Sequence, residues 1–484
     1  MMNLPNSWAQ VPLEELFQIV LGGDWGSDPS DALDDSSLVR CIRASELRDW
    51  GTQKGKTAAI RRLKNSSIEK RRLRTGDILV EVSGGGPDQA VGRTVLITNE
   101  VLSADQNCDF VCTNFFRFCR PNKNINTSYL NWYLQHFYSV GGTETLQGGS
   151  NNLRNLRFPD YIAQQIPIAP LNEQYRIVRK IEELLSELDK GVENLITAYE
   201  QLKAYRQSVL KAAFEGKLTA NRRDGELQRS NKSSCAALTE SLPNEWQLTP
   251  VSALLSEPLC NGRSVKDRPG GFPVLRLTAL KQGRIDLTEF KEGDWECSDA
   301  APFLVSKGDF FLSRGNGSKQ LVGAGGLVRE VPRQVAFPDT MIRIRLDTKL
   351  VNPRYFSLCW NSRIVRQQIE RDARTTAGIY KINQSHVSSF EVPVPPLKEQ
   401  EKIVSLVEEK LSTTDFAIQQ VIDQLRRTDL LKNSILQKAF SGQLVDQDAG
   451  DEPASALLDR IRAERQEGGG AKRRNKKNGK KEAA

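Results

Sequence analysis

The sequence predicts an α+β chain built as an internal pseudo-twofold repeat, in which two β-rich modules are joined by two long antiparallel coiled-coil helices. Three observations carry this expectation. The words PLNEQ from Pro170 and PLKEQ from Pro396 open two similar paragraphs at an offset of 226 residues. Each opens a long stretch of helical periodicity that closes on QSVLKAAFEGKL (Gln207 to Leu218) or NSILQKAFSGQL (Asn433 to Leu444). Each is preceded by a strand-like word and a glycine loop, GDILVEVSGGG from Gly76 and GDFFLSRGNGS from Gly308.

The repeat comes first because a missed repeat misassigns the whole fold. Glu173 and Glu399, Ile177-Val178 and Ile403-Val404, Phe214 and Phe440, and Gly216 and Gly442 all keep the 226 offset. So do FRF (Phe116 to Phe118) against IRI (Ile342 to Ile344), and Tyr129 against Tyr355. Upstream the offset drifts to 232 at the Gly-Asp words, 233 at IRAS against LRLT, and 238 at LPNSW against LPNEW. Each copy thus has a variable front and a constant back, with the insertions placed where surfaces differ. The expected division is 1–168 and 242–394 as recognition modules, with 169–219 and 395–445 as helical spacers. A linker occupies 220–241, and 446–484 holds a C-terminal helix (DEPASALLDRIRAERQ) and a basic disordered tail.

The fronts read as short strands with glycine turns, and SYLNWYLQHF and PRYFSLCWNS each as one short helix. In the first back, Ile177, Ile181, Leu184, Leu188, Leu195, Ala198, Leu202, Tyr205 and Val209 recur at helical spacing, a coiled-coil stripe. At 1.5 Å per residue, Glu173 to Val209 spans roughly 55 Å. The second stripe is less clean, because Lys410 and Thr414 take stripe positions beside Ile418, Val421, Leu425 and Ile435. Gly216 and Gly442 read as helix stops. Glu173, Gln174, Glu399 and Gln400 stand at the helix starts, where an acid complements the helix dipole. Stabilisation of the first turn is favoured there over contact with a partner.

At 484 residues, with 38% hydrophobic and 26% charged residues, the composition is that of a globular chain too long for one core. No apolar run has the length to span a bilayer, and MMNLPNSW lacks the layout of a signal peptide, so a cytoplasmic protein is expected. Eight scattered cysteines with no C-x-x-C pair read as reduced and mostly buried. The net charge of +8 favours a polyanionic partner. Part of it lies in the tail KRRNKKNGKK (Lys472 to Lys481), but the run from Lys54 to Arg74 is also strongly basic, with Glu69 its single acid.

Fragments that resemble catalytic motifs fail on inspection. GTQKGKT (Gly51 to Thr57) is one residue short of the phosphate-binding spacing and follows no apolar strand. NPRY (Asn352 to Tyr355) has Arg354 in place of a second proline and reads as a helix start. Asp339 and Asp347, which suggest a nuclease pair, fall on Thr113 and Pro121 in the first copy. His136 and His386 are the only histidines and assemble no triad or metal site. The sequence offers no enzyme and no catalytic or metal-ligating residue.

The paired words, each behind its Gly-Asp module, resemble the specificity (S) subunit of type I restriction-modification systems over nearly the whole chain. The resemblance implies that the fronts are target recognition domains, each reading one half of a split DNA sequence. The backs would form the spacer and dock two methyltransferase subunits, with restriction subunits joining the full complex. It also implies that S-adenosylmethionine, ATP and Mg2+ act on those partners and not on this chain. The rival reading is a helical scaffold with nonspecific nucleic-acid binding.

Base edges confer specificity, whereas phosphate contacts confer affinity and register. The candidates in the first module are Arg61, Arg62, Lys64, Arg71, Arg72 and Arg74 from the basic run. Ser83 heads the Ser83 to Gly86 loop, whose backbone amides could approach a phosphate. Gln147 and Asn151 lie in QGGSNN, whose amides suit adenine. The second module offers Arg314, Asn316, Lys319 and Gln320 in SRGNGSKQ, and Arg374 and Lys381 around TTAGIY. Arg43 and Arg276 occupy equivalent positions after a strand.

Overall fold

The computed structural model describes residues 4–31, 33–86, 89–149, 153–220, 242–281, 283–376 and 378–478, excepting the side chains at 376 and 467–478. The chain divides into two compact units, Met1–Asn194 with Gln424–Ala484, and Leu195–Asp423. Each long helix therefore begins in one unit and ends in the other. Almost all of the expected linker, from 221 to 241, lies outside the described residues.

In the first unit a four-stranded antiparallel sheet has the order Phe17–Gly22, Phe116–Pro121, Ile78–Glu81, Thr94–Leu96. The Gly-Asp word feeds its interior strand, and Ile78–Glu81 is buried throughout. Asp77 sets the turn by accepting from the Arg74 amide at 2.7 Å and from Arg120 Nε and Nη2 at 2.7 and 2.8 Å. A second sheet joins Ala59–Lys64, Ser36–Ile42 and Asp109–Cys112, the last pair parallel. Ala9–Pro12 pairs with Gln165–Ile168 and closes the module's two ends together.

The second unit repeats this plan. Leu255–Asn261, Met341–Leu346, Phe310–Ser313 and Gly325–Leu327 stand in the same neighbour order. Asp309 repeats the turn, accepting from the Ser306 amide at 2.8 Å and from Arg345 Nε at 2.7 Å. Gln247–Pro250 pairs with Glu391–Val394. The short helices Thr127–Ser139 and Pro353–Trp360 are capped by Asn126 and Asn352, whose side chains accept from the Tyr129 and Tyr355 amides. NPRY is thus a helix start. The units differ where the offset drifts. The three-stranded sheet around Ser36–Ile42 has as its counterpart a pair, Asp267–Leu275 with Phe290–Gly293.

The long helices run Leu171–Phe214 and Leu397–Phe440, 44 residues each, or about 66 Å at 1.5 Å per residue. Asp189 pairs with Lys432 at 2.7 Å within the first unit, and Arg206 pairs with Asp415 within the second. A step forward along one helix is a step back along the other, so the pair is antiparallel. Ile177, Ile181 and Val209 of the first stripe are buried, whereas Tyr205 is 46% exposed, and Arg206 beside it turns towards Asp415. On the second helix Leu411, not Lys410, is buried, together with Ile403, Val407, Thr414 and Thr428. Both threonines satisfy their hydroxyls on the carbonyl four residues back, at 2.7 and 3.0 Å.

The expected stops are present. Gly216 and Gly442 adopt φ of 71° and 74°, which side chains disfavour. The Lys217 amide returns to the Ala212 carbonyl, and the Gln443 amide to that of Lys438, both at 2.9 Å. The C-terminal helix covers Ala454–Asn478, so the basic run from Lys472 is helical as far as Asn478 rather than irregular. Its remainder lies outside the described residues.

The cysteines at 41, 112, 119 and 359 are free and buried, and burial pushes the Cys41 thiol up to about 12. Among the described residues no helix is long and apolar enough to cross a membrane.

Candidate nucleic-acid interface

In each unit the two loops singled out from sequence meet in one small antiparallel sheet. In the first, Ser83–Gly85, Arg154–Leu156 and Gln147–Gly148 lie side by side, with Arg154–Leu156 central. In the second, Gly315–Asn316, Ile379–Lys381 and Arg374–Thr376 repeat that order. Ser83 and Gln147 are brought together in one ribbon, and Arg314, Asn316, Arg374 and Lys381 in the other. Asn151 lies outside the described residues.

The first ribbon borders a cleft of about 640 Å³ lined by Arg43, Arg48, Gly84, Arg93, Asn114 and Phe115 among others. Arg43 bonds Glu46 through Nε at 2.8 Å and the Thr57 carbonyl through Nη2, with 42% of its side chain exposed. Arg93 grips the buried Glu81 carboxylate at 2.5 and 2.8 Å. Burial disfavours the Arg93 charge, but the Glu81 bonds outweigh it and raise its pKa. This pair supports the cleft floor, while Arg43 and the exposed Arg48 remain at its rim.

The basic run divides into two sets. Arg61 donates to the Trp25 carbonyl at 3.2 Å and lies over the Trp25 ring at 4.3 Å. Arg62 donates to the Pro29 carbonyl at 3.1 and 3.2 Å, and Arg71 to the Gly22 carbonyl at 3.0 Å. These three brace loops of their own unit. Lys64, Arg72 and Arg74 are exposed. Arg72 lies 3.4 Å from Asp109, a surface pair worth under about 1 kcal/mol.

Two glycines of the loop expected to approach a phosphate also have packing roles. The Gly86 amide donates to the Gln89 carbonyl at 3.1 Å. A Cβ on Gly85 would meet that carbonyl at 2.6 Å and Val91 at 2.8 Å. Gln147 Oε1 accepts from the Val91 amide at 3.1 Å.

In the second unit Arg314, Lys319, Gln320, Arg374 and Lys381 are exposed. Asn316 Oδ1 accepts from the Ser318 amide at 3.0 Å, and Arg366 holds the Lys319 and Gln320 carbonyls at 3.3 and 3.2 Å. Burial lowers the Arg366 pKa. Arg276 is exposed, with Nε on the Phe290 carbonyl at 3.2 Å. It precedes a short 3-10 turn, as Arg43 does.

Gln174 and Gln400 at the helix starts are wholly internal. Gln174 bonds the Asn126 amide and the Ala169 carbonyl, and Gln400 bonds the Asn352 amide and the Pro395 carbonyl. Glu173 is 1% exposed and accepts from Trp8 Nε1 at 3.1 Å and Gln447 Nε2 at 2.6 Å. Glu399 accepts from Trp246 Nε1 at 3.1 Å and Thr219 Oγ1 at 2.6 Å. Glu173 and Glu399 stand in the first turn of each helix, as expected, and these residues also tie distant segments together. Their tryptophan partners lie 153 to 165 residues away, too far for sequence spacing to reveal.

Among the described residues no cluster of His, Cys, Asp or Glu could hold a metal. Asp347 instead accepts from the Lys349 amide at 2.9 Å, and His136 stacks on Phe440 with centroids 5.8 Å apart.

Residues 267–427 match the family model of the type I restriction modification DNA specificity domain. The chain is 30% identical to the type I restriction enzyme EcoKI specificity subunit of Escherichia coli K12, covering 98% of this chain and 99% of that protein. It is 28% identical to the StySPI specificity subunit of Salmonella potsdam over the same shares. Two solved structures share the fold at 16% identity. One, from work on complex assembly and conformational transition of the type I R-M system, has a TM-score of 0.67 and covers 91% of this chain and all of that one. The other, the HsdS subunit of Thermoanaerobacter tengcongensis, has a TM-score of 0.52 and covers 91% and 98%.

Proposed function

The chain belongs to the specificity subunits of type I restriction-modification systems, and on that premise we propose how this sequence divides the work of recognition. Residues 1–168 and 242–394 are target recognition domains, each reading one half of a bipartite duplex sequence. The spacers 169–219 and 395–445 fix the gap between half-sites and dock two methyltransferase subunits, with restriction subunits completing the complex. S-adenosylmethionine, ATP and Mg2+ act on those partners, in the cytoplasm of a bacterium or archaeon. This chain supplies recognition and no chemistry.

The observation that carries this reading is the repeated ribbon. Two diverged sequences build the same three-stranded arrangement from the same pair of loops. The major groove of B-DNA, about 12 Å wide, admits two neighbouring strands, such as the central strand of each sheet with one of its edge strands. The exposed cations of the two units include Lys64, Arg72, Arg74, Arg276, Arg314, Lys319, Arg374 and Lys381, of which Arg374 and Lys381 lie in the second ribbon itself. Those near the duplex contribute affinity through phosphate.

The test is a competition. The chain with its methyltransferase partner is bound to duplex carrying its target, against random duplex of equal length at fixed salt. A preference of about 10³-fold or more is expected for specific recognition. Equal binding to both, falling steeply with salt, would support the nonspecific scaffold instead.

A further inference from the structure

Leu153 and Ile379 are 49% and 43% exposed, and they occupy equivalent positions at the 226 offset. Each introduces the central strand of its ribbon: Leu153 directly precedes Arg154–Leu156, and Ile379 opens Ile379–Lys381. Two residues further on stand Asn155 and Lys381, both exposed, and in the second unit Ile379 and Lys381 share a face of one strand by alternation. Asn155 lies opposite Ser83, and Lys381 opposite Gly315. In the second unit a Cβ on Gly315 would touch Ile379 Cγ2 at 3.6 Å and Lys381 Cγ at 3.3 Å. Both side chains therefore stand over one face of the ribbon.

An isolated surface leucine calls for no explanation. A branched aliphatic at the same ribbon position in both units, followed at the same interval by an exposed polar residue, does. It is a chemical pairing matched to the major groove. The only apolar group displayed there is the C5-methyl of thymine, while amide and ammonium groups match adenine and guanine edges.

We propose that Leu153 with Asn155, and Ile379 with Lys381, are specificity-determining pairs. In each, the aliphatic side chain packs on a thymine methyl and its polar neighbour engages an adjacent base: adenine for Asn155, guanine for Lys381. This rests on the reading that the modules recognise DNA, and it goes further by naming residues and the groups they contact.

The experiment replaces each thymine of the target in turn by uracil, which removes only the methyl. Binding is measured for the chain with its methyltransferase partner. One thymine in each half-site is expected to cost wild-type binding about four-fold on replacement, the worth of one buried methyl. Leu153→Ala should lose at least as much on thymine DNA and show no further loss on uracil at that position. Ile379→Ala should behave likewise in the other half-site alone. Asn155→Ala and Lys381→Ala should relax base preference beside those positions. The proposal is overturned if a half-site lacks A·T pairs, or if Leu153→Ala and Ile379→Ala bind as wild type. Uracil and alanine effects that simply multiply would also overturn it. The variants alter exposed residues, so unchanged unfolding and an unchanged salt slope serve as the folding control. Loss of all sequence preference in the wild-type complex would refute the DNA-reading function itself. Retained preference without an alanine effect refutes only these pairs.

Discussion

Phe214, the last residue of the first long helix, meets Tyr355 edge to face, with ring centroids 5.5 Å apart and planes at 71°. Phe440 ends the second helix and meets Tyr129 in the same way, at 5.4 Å and 69°. Both tyrosine hydroxyls donate to a proline carbonyl, Tyr355 to Pro393 at 2.7 Å and Tyr129 to Pro167 at 3.0 Å. Burial pushes both hydroxyls well above the ordinary phenol value, so they remain donors. Each helix is thus anchored in the unit where it ends, behind a module it does not directly follow in sequence.

Phe214→Ala and Phe440→Ala should each destabilise by about 3–5 kcal/mol, as for large buried aromatics. The loss should be local. Hydrogen exchange is expected to rise around Tyr355 in the first variant and around Tyr129 in the second. Phe416, on the same helix as Phe440 but 67% exposed, should change stability by no more than about 0.5 kcal/mol when replaced by alanine.

One corner of the first unit holds two carboxylates of opposite pH response. Burial raises the Glu173 pKa against the bonds from Gln447 and Trp8, so the folded state favours its protonated form. Its contribution to stability is full below the unfolded value of about 4.3 and is lost as pH rises through the raised folded value. The Arg176 bond, at 2.6 Å, lowers the Asp451 pKa. Its contribution is full above the unfolded value and is lost as pH falls through the depressed folded one. Unfolding measured against pH should therefore lose a declining component in Glu173→Gln and an acid-sensitive component in Asp451→Asn.

The seam gives the spacing prediction. Asp189 and Arg206 on one helix face Lys432 and Asp415 on the other, in the first and second units respectively. Inserting one heptad between those positions in both helices preserves the 3/4 stripe and lengthens each by about 10 Å. The gap between half-sites should grow by about three base pairs at 3.4 Å per step, with the bases read unchanged. Methylation-site mapping reads both. Altered bases at an unaltered gap would show that the helices are not the ruler.

The backs were legible because their signals are local. The stripe and the phenylalanine that ends each helix lie within one helix, the glycine stops follow two residues later, and the stops fall where the repeat placed them. What escaped sequence reading depends on partners brought in by tertiary structure. Arg61, Arg62 and Arg71 read as a phosphate-binding run, and each also donates to a backbone carbonyl 33 to 49 residues away. Backbone acceptors leave no mark in sequence. Asn155 was not singled out, because its place opposite Ser83 depends on pairing register and not on composition. Lys410 was assigned to the stripe, but Leu411, about a quarter turn further round, is buried instead, and two buried threonines satisfy their hydroxyls on the helix's own carbonyls.

The most direct measurement is a genome-wide adenine-methylation map in cells carrying the partner methyltransferase. It would compare cells without this chain, with it, and with residues 1–168 replaced by the matching module of a relative. The expected result is a split motif present only with the chain, of which the exchange alters one half and leaves the other half and the gap unchanged. No motif despite stable expression of both proteins, or alteration of both halves by the single exchange, would contradict recognition by two independent modules on a helical spacer.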